Sequence, residues 1–290
     1  MIATLFSVAF FAAVVRITVP YALAALGGTL SERSGVINIA LEGLLLIGAF
    51  TATMGAYVGH GAIAGVLGGV VGGAAFGALY ALLVVTLRGD QIVCGVALNL
   101  LADGLTRFLL KATFDSSSNS PRIDAWGAVG TRLIVLTVGL VALFHVVVYK
   151  TPFGLRLRAV GEHPDAAASL GVKPARIRWA ALILAGALAG LGGAWLAADQ
   201  RQFVAGMSNG RGYIALAAMI FGGWRPVRAA AACLLFGVAE AMQIALQAAG
   251  VGVPGWAVQM LPYVLTMVTL AGFIGRAQPP RALGKGAAEL

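Results

Sequence analysis

The sequence has little charge. Asp, Glu, Lys and Arg make up 11% of the 290 residues, whereas an ordinary soluble domain holds about 25%. So few charges cannot cover the surface of a water-soluble globule. Hydrophobic residues make up 60% of the chain, and the mean hydropathy is +0.91. We therefore expect an all-α polytopic membrane protein, whose 40 glycines let helix backbones approach one another closely.

Residues that carry out chemistry are also scarce. The two cysteines, Cys94 and Cys233, stand alone in apolar runs, and the three histidines, His60, His145 and His163, are scattered. The sequence has no GxxxxGK[ST] phosphate-binding loop, no HExxH pair and no nucleophile elbow. We expect no catalytic residue, no metal and no cofactor. Any driving force must then come from another protein or from an ion gradient.

Apolar runs of about 20 residues, the length that spans a bilayer, recur along the chain. A ninth run, at 213–223, is about half as long and lies between glycines, which predicts a short or broken helix. The first run lacks the basic start and cleavage site of a signal peptide, so we expect it to be retained. Arg16 interrupts that run and leaves a shorter or partly re-entrant start as an alternative. The eight longer runs are 4–27, 36–58, 62–86, 91–111, 131–149, 179–198, 228–249 and 256–276.

The net charge of +9 would suggest nucleic acid as a partner for a soluble chain. Here the basic residues lie in short connections, so they indicate orientation in the membrane and no nucleic-acid partner. If the 150–178 loop is cytoplasmic and the short run crosses, most Lys and Arg share one side, with nine crossings and a cytoplasmic C-terminus. If the short run turns back, there are eight spans. The glycine-rich stretches 36–105 and 179–249 are compatible with an internal repeat.

Polar side chains interrupt three of the predicted spans, where an ionisable group costs about 2.5 to 3.5 kcal/mol. Their spacing of three, four or seven residues places each set on one helix face. They either line a hydrated pathway or hold helices together, and Asp103 with Arg107 is alternatively an ion pair at the membrane rim. For Glu42 the structural role requires a partner such as Arg33 or a backbone terminus. The sets are Asn38 with Glu42; Asn99, Asp103 and Arg107; and Glu240, Gln243 and Gln247.

The loop 150–178 carries the signals of a short helix. Pro164 suits a first helical position, Asp165 places a negative charge in the first turn, and Gly171 suits a stop. A short amphipathic helix at the cytoplasmic face would suit docking of a peripheral subunit. The alternative is an ordinary solvated basic loop.

Two segments of the sequence resemble a known family. The first, GLRLRAVGEHPDAAASLGV at 154–172, is similar to the coupling loop of bacterial ABC importer permeases in the branched-chain amino acid and simple-sugar superfamily. The second, GGTLSERSGVINIALEGLLLIGAF at 27–50, resembles their N-terminal signature and contains Glu32, Arg33, Asn38 and Glu42. Together with GRGYIALAAMIFGGW at 210–224, its SERSGVINIALEG form resembles the nucleoside-uptake branch. Amino acid permeases usually differ where Leu41, Glu42 and Gly43 stand, and His163 replaces a common Asn.

The resemblance implies one transmembrane permease domain over 1–290, placed in the bacterial cytoplasmic membrane. A separate ABC ATPase would dock near 164–170, with a second, different permease subunit completing the pathway. An extracytoplasmic solute-binding protein would deliver solute to loops such as 112–130 and 199–212. Within the coupling loop, Gly154, Gly161 and Gly171 would set turns. Arg156, Arg158 and Glu162 would make polar contacts.

Two alternatives stay open from the sequence. The solute of such a permease could be a simple sugar or a branched-chain amino acid. From another class, the chain could be an ion-coupled secondary carrier, in which Glu42 or Asp103 would be essential for ion coupling.

Overall fold

The computed structural model describes residues 7–126, 129–248, 260, 264 and 278–285. This part of the chain is helical, and α3 continues through a π-helical turn at Leu82–Thr86. Seven of its helices are long and apolar enough to cross a membrane. The helices are α1 Val8–Arg33, α2 Leu41–Val58, α3 Ala62–Ala81, α4 Gln91–Phe114, α5 Val129–Lys150, α6 Pro152–Glu162, α7 Pro164–Ser169, α8 Pro174–Gln200, α9 Arg211–Phe221 and α10 Pro226–Ala248.

The long helices confirm seven of the predicted spans, and the run at 256–276 lies outside the described residues except for two isolated positions. The short run is confirmed as α9, with 11 residues. Arg16 does not interrupt α1, because its guanidinium pairs with the carboxylate of Asp199 on α8. Over the described residues α1 is one continuous helix, so the re-entrant start is wrong, whereas the shorter first span stays a prediction.

Helix α8 forms the centre of the bundle. In its apolar stretch 78% of the residues are buried, against 17% in α5. Glycines bring α8 into backbone contact with its neighbours: a Cβ atom on Gly48 of α2 would lie 2.6 Å from the carbonyl oxygen of Gly190, and one on Gly190 would lie 2.9 Å from Cα of Gly73 on α3. Without a hydrophobic drive between helices in lipid, such close approach supplies the packing energy.

The helix bundle has two ends, and we call the one formed by segments 118–123 and 201–205 the loop end. At the loop end, segment 118–123 bonds to segment 201–205, with Ser120 N donating to Phe203 O at 2.9 Å and Ala205 N to Ser118 O at 2.9 Å. At the opposite end, α6 packs against the last residue of α1, since a Cβ on Gly161 would lie 2.9 Å from the carbonyl carbon of Arg33. We call this the α6 end. The tail 278–285 lies there too, because Ala282 N donates to Gly161 O at 2.9 Å.

Candidate functional site

Two stretches of non-helical backbone enter the interior of the bundle. Residues 34–40 join α1 to α2, and residues 201–210 lead from the loop end to α9. Backbone of this kind survives at membrane depth only where other groups satisfy it. In the first stretch Ile37 N donates to Gln91 Oε1 at 2.7 Å, and Ile37 O accepts from the hydroxyl of Tyr80 at 2.6 Å. Helices α3 and α4 thus satisfy the backbone of this break.

Asn38 lies in this break, which corrects the sequence prediction. Asn38 and Glu42 were expected on one helix face, but α2 begins only at Leu41. The break goes unnoticed in sequence because it lies in an apolar run without proline. Asn38 is fully buried, and its side-chain amide has no hydrogen-bond partner among the described residues.

Glu42 caps the N-terminus of α9. Its carboxylate accepts from Gly210 N at 2.8 Å and from Gly212 N at 2.7 Å. The backbones touch as well, since a Cβ on Gly212 would lie 2.5 Å from Cα of Glu42. The N-termini of α2 and α9 therefore meet, and the carboxylate places negative charge beside two positive helix ends. Of the two partners that the sequence suggested for Glu42, Arg33 and a backbone terminus, the structure has the backbone terminus.

Asn99 ties α4 to the same junction. Its Oδ1 accepts from Gly43 N at 2.8 Å, while its Nδ2 donates to Ile39 O and to the hydroxyl of Tyr213, each at 3.0 Å. Asn99 lies eight residues beyond the start of α4, about 12 Å along the helix at 1.5 Å per residue. The junction of α2 and α9 is therefore inside the bundle, well away from either end.

The ion pair of Asp103 and Arg107 lies further along α4, with Arg107 Nε 3.0 Å from Asp103 Oδ2. Asp103 is about 18 Å from the start of α4, near the middle of this 24-residue helix. This position favours a pathway or packing role for the pair over the alternative of a place at the membrane rim. Both side chains are half exposed, at 47% for Asp103 and 53% for Arg107. A charged pair at that depth faces protein or water rather than lipid.

Glu240 on α10 forms a second buried cluster. Its Oε1 accepts from Arg211 Nη2 at 3.2 Å, and its Oε2 accepts a short hydrogen bond from the hydroxyl of Tyr21. Arg211 also donates to Met207 O at 3.0 Å. The pair of charges sits mainly inside the protein, with about a fifth of each side chain exposed. Gln243, on the following turn, is half-buried.

The C-terminal end of α9 is held by two consecutive residues of α1. Trp224 Nε1 donates to Glu32 Oε2 at 2.6 Å, and Arg33 Nε donates to Trp224 O at 2.9 Å. Segments 27–50 and 210–224, which lie far apart in the sequence, therefore form one structural unit around α9. No spacing rule in the sequence indicates this contact, because its partners lie about 190 residues apart.

This arrangement, a broken helix with both ends bound to one N-terminal segment, can be compared with known proteins. A sequence model of the branched-chain amino acid transport system permease component matches residues 10–270. The chain belongs to this permease family.

Relatives with established names cover nearly the whole permease. It is 36% identical to a guanosine ABC transporter permease protein of Bacillus subtilis and 38% identical to a nucleoside ABC transporter permease protein of Lactococcus lactis. Each alignment covers 91% of this chain and 92% of the relative. A putative glucose ABC transporter permease protein of Haloferax volcanii is 34% identical over 78% of this chain and 74% of its own. No solved structure matches the permease.

The loop 150–178, which the resemblance predicts to be the coupling loop, contains two helices. The predicted one is confirmed as α7, Pro164–Ser169, followed by Gly171 at φ +82°. Helix α6 was not predicted. Thr151 caps it by accepting from Gly154 N at 3.2 Å. Pro152 in the first helical turn is the signal that could have revealed this helix.

Gly154 and Gly161 do not set turns, contrary to the prediction. Both lie inside α6, where each allows a close approach of another backbone. A Cβ on Gly154 would lie 2.5 Å from the carbonyl carbon of Val148, which brings α6 tightly against the end of α5. Gly154 allows close packing against the preceding helix, and Gly161 allows close packing against α1, which no local pattern reveals.

Some polar residues of the loop contact other parts of the protein, and others are exposed on its surface. Arg158 lies over the Tyr149 ring at 5.2 Å from the centroid, and Glu162 Oε2 accepts from Arg281 N at 3.4 Å. Arg156 and Asp165 are exposed. So are two large apolar side chains, Leu155 at 62% and Leu170 at 84%. A surface with exposed leucines between charges is typical of a docking site.

We predict that replacing Glu42 by Ala destabilises the permease, because two N–H groups of α9 lose their cap. Loss of a capping side chain costs about 0.5 to 2 kcal/mol. Glu42→Gln is the matched control, since it keeps one acceptor oxygen and is expected to lose about half as much. Thermal unfolding of the purified protein in detergent checks both. An unchanged unfolding temperature for Glu42→Ala would show that the cap is not a stabilising contact.

Proposed function

We propose that the chain is a permease subunit of an ATP-driven ABC importer for nucleosides. The observation that carries this proposal is the similarity to nucleoside and guanosine permeases over about nine-tenths of the chain. The relative named for glucose matches a smaller share. ATP hydrolysis would occur on a separate subunit, and the permease itself would supply the path and the coupling loop.

The cap on α9 supports an uncharged solute. In many transporters the N-terminus of a broken helix at the membrane interior binds an anionic group of the substrate. In this permease Glu42 already occupies the N–H groups of Gly210 and Gly212. A solute carboxylate would meet this negative charge instead of free donors. A nucleoside or a sugar carries no such group, whereas an amino acid does.

The polar face of α4 and α9 is our candidate for the path. Asn99, Asp103 and Arg107 follow one another on α4, and Tyr213, with 48% exposure, stands beside Asn99. A nucleobase can stack on an exposed aromatic ring, which typically contributes about 1 to 3 kcal/mol per base. Glu240 would hold helices around the path through Tyr21 and Arg211 rather than line it. Asn38, whose buried amide has no partner among the described residues, and Gln243 stay candidates for the path.

The partners follow from the surfaces. The ATPase would dock on α7 and on the exposed leucines of the coupling loop. A second permease subunit, which we take to be a different chain, would cover the half-exposed ion pair on α4. A solute-binding protein would approach the loop end, where segments 118–123 and 201–205 meet. Lipid would contact the remaining exposed apolar side chains of α4 and α5.

We place the α6 end on the cytoplasmic side of a bacterial cytoplasmic membrane. The tail 278–285 bonds to α6 and to the segment after α1, with Gly284 N donating to Gly35 O at 3.4 Å. The tail would therefore be cytoplasmic. Because α9 ends against Arg33 while segment 201–205 lies at the loop end, the stretch 201–221 runs across the bundle, which supports the crossing alternative.

The proposal is tested by deleting the gene and measuring uptake of labelled nucleosides, glucose and leucine. We expect nucleoside uptake alone to fall, and to depend on cellular ATP when an uncoupler has removed ion gradients. Lost leucine or glucose uptake would assign the alternative solutes. Uptake that an uncoupler abolishes while ATP is held constant would indicate an ion-coupled carrier.

We predict that Leu170→Asp disrupts docking of the ATPase. Leu170 is 84% exposed directly after α7, so a charge there is tolerated by the permease but not by an apolar pocket on a partner. We expect at least a tenfold loss of ATPase that co-purifies with the permease. Ser117→Asp, an equally exposed change at the loop end, should leave co-purification intact. Equal co-purification of both variants would remove Leu170 from the docking surface.

A further inference from the structure

Arg33, the last residue of α1, joins three elements at the α6 end. Its guanidinium donates to Trp224 O at 2.9 Å and to Gly223 O at 3.4 Å, both just beyond α9. It also lies 3.5 Å from the hydroxyl of Tyr149, near the end of α5. The carbonyl of Arg33 itself touches Gly161 of α6. One residue therefore contacts the coupling loop through its backbone and α9 through its side chain.

On the α9 side of this junction, the backbone conformation directs carbonyl groups at Arg33. Gly223 and Trp224 have φ values of +61° and +55°, so the chain reverses there and directs carbonyl groups at the guanidinium. A cation at a helix C-terminus is favourable because it offsets the partial negative charge of these carbonyls. The indole of Trp224 is held in turn by Glu32. The C-terminal end of α9 is thus bound to α1 by two side chains, Glu32 and Arg33.

The α6 side is equally tight. The Cβ that Gly161 lacks would collide with the Arg33 carbonyl, so α6 cannot shift toward α1 without displacing that peptide. Arg158, one turn earlier on α6, lies over the Tyr149 ring that Arg33 also contacts. Residues 34–35, which follow Arg33, bond to Arg178 and to the tail, with Arg178 Nε donating to Ser34 O at 3.2 Å. A movement of α6 therefore reaches Arg33 directly.

Helix α9 can carry such a movement into the bundle. It has 11 residues, and among the described residues Glu42, Tyr213 and Arg211 make polar contacts at its N-terminal end. Its buried face, with Ala215, Ala218 and Met219, packs against α1. Its N-terminal end stands at the polar face of α4. A displacement at Trp224 would shift Tyr213 relative to Asn99, because a helix transmits motion along its axis as a unit.

We propose that Arg33 is the positioning residue that passes movement of the coupling helix α6 to the broken helix α9. The proposal rests on the proposed function, since it requires an ATPase that moves the coupling loop. It assigns Arg33 and Glu32 to energy coupling rather than to the solute path. It also gives the signature segment 27–50 a physical role, as the part that holds both ends of α9.

The experiment uses the whole reconstituted transporter, with ATPase, partner permease and solute-binding protein, and counts nucleosides transported per ATP hydrolysed. Arg33→Lys keeps the positive charge but loses the planar fork that bonds two carbonyls at once. We expect it to assemble and to hydrolyse ATP at wild-type rates within twofold, while the transport ratio falls at least tenfold. Arg225→Ala is the matched control, an exposed arginine next to Trp224, and should keep the wild-type ratio.

Two results would overturn the proposal. One is a wild-type transport ratio in Arg33→Lys. The other is a parallel fall of hydrolysis and transport in folded, assembled Arg33→Lys, which is the signature of a merely structural contact. Should Arg33→Lys fail to fold, the neutral Arg33→Gln, which keeps one donor for a carbonyl, is measured by the same criteria. Failure of the proposed function is distinct, because the wild-type transporter would then carry no nucleoside.

Discussion

We expect Gly190→Leu to remove folded permease from the membrane and Gly139→Leu to leave its amount unchanged. The first substitution falls where α2, α3 and α8 meet backbone to backbone. A Cβ on Gly190 would lie 2.9 Å from Cα of Gly73, and one on Gly48 would meet the Gly190 carbonyl at 2.6 Å. Gly139 on α5 is the opposite case, since no heavy atom lies within 4 Å of a Cβ placed there.

The expected loss of stability in Gly190→Leu depends on whether side chains or whole helices must move to make room. Overpacking a core usually costs about 1 to 3 kcal/mol when side chains can give way. At Gly190 the neighbours are main-chain atoms of two helices, so the helices must separate, and we expect a loss above about 4 kcal/mol, which is exceptional for one substitution. At Gly139, Leu gains about 1 kcal/mol of helix propensity.

Size-exclusion chromatography of fluorescently tagged protein in mild detergent measures this prediction. The wild type and Gly139→Leu should elute as one symmetrical peak of similar height. Gly190→Leu should appear mainly in the void volume. A symmetrical Gly190→Leu peak that unfolds at the wild-type temperature would contradict the packing of α8 described above.

Arg211→Met is the second substitution with a large expected effect. It leaves the Glu240 carboxylate buried in the bundle with the Tyr21 hydroxyl as its remaining side-chain partner. Breaking a buried ion pair by removing one partner typically costs about 3 to 5 kcal/mol. The double variant Arg211→Met with Glu240→Gln removes the uncompensated charge, so we expect it to recover most of this loss.

A double-mutant cycle in mixed micelles measures the coupling between the two side chains. The matched control is the same cycle on Asp103 and Arg107, whose side chains are about half exposed. We expect a coupling of several kcal/mol for the buried pair and about 0.3 to 0.5 kcal/mol for the exposed one. Additive effects of Arg211→Met and Glu240→Gln would mean that the two charges do not depend on each other.

The spans were predictable because their signal is local. A bilayer sets the length of an apolar run, and seven helices begin and end close to the predicted bounds. The short helix α9 was visible for the same reason, as an apolar run too short to cross. Helix α7 was predictable from Pro164 and Gly171, whose backbone preferences act within a few residues.

The break at 34–40 could not be predicted, because its cause lies elsewhere in the chain. Residues 36–40 read as the start of an apolar run, and Gln91, Tyr80, Asn99 and Arg178 on other helices bond to the backbone of the segment. The same applies to Glu42, whose partners are backbone N–H groups of α9. The sequence shows which charged residues lie inside predicted spans. It does not show their partners, because these depend on the fold.

The glycines of the coupling loop show the same limit. Gly171 was assigned a turn and has the positive φ that favours glycine. In the sequence, nothing distinguishes Gly154 and Gly161 from Gly171, yet both are helical. Glycine is required at these positions because Val148 and Arg33 approach too closely for any side chain. Composition indicates that glycine matters in this chain, but only the packing shows whether a turn or a close contact requires it. The proposed internal repeat stays a prediction.

The central claim, ATP-driven nucleoside import through this permease, is tested most directly in proteoliposomes that hold the complete transporter. Labelled nucleoside and binding protein are supplied at the loop end, ATP at the α6 end, and ionophores remove all ion gradients. We predict accumulation of nucleoside that requires ATP and that excess unlabelled nucleoside, but not leucine or glucose, abolishes. Accumulation without ATP, or none with ATP while leucine or glucose is taken up, would contradict it.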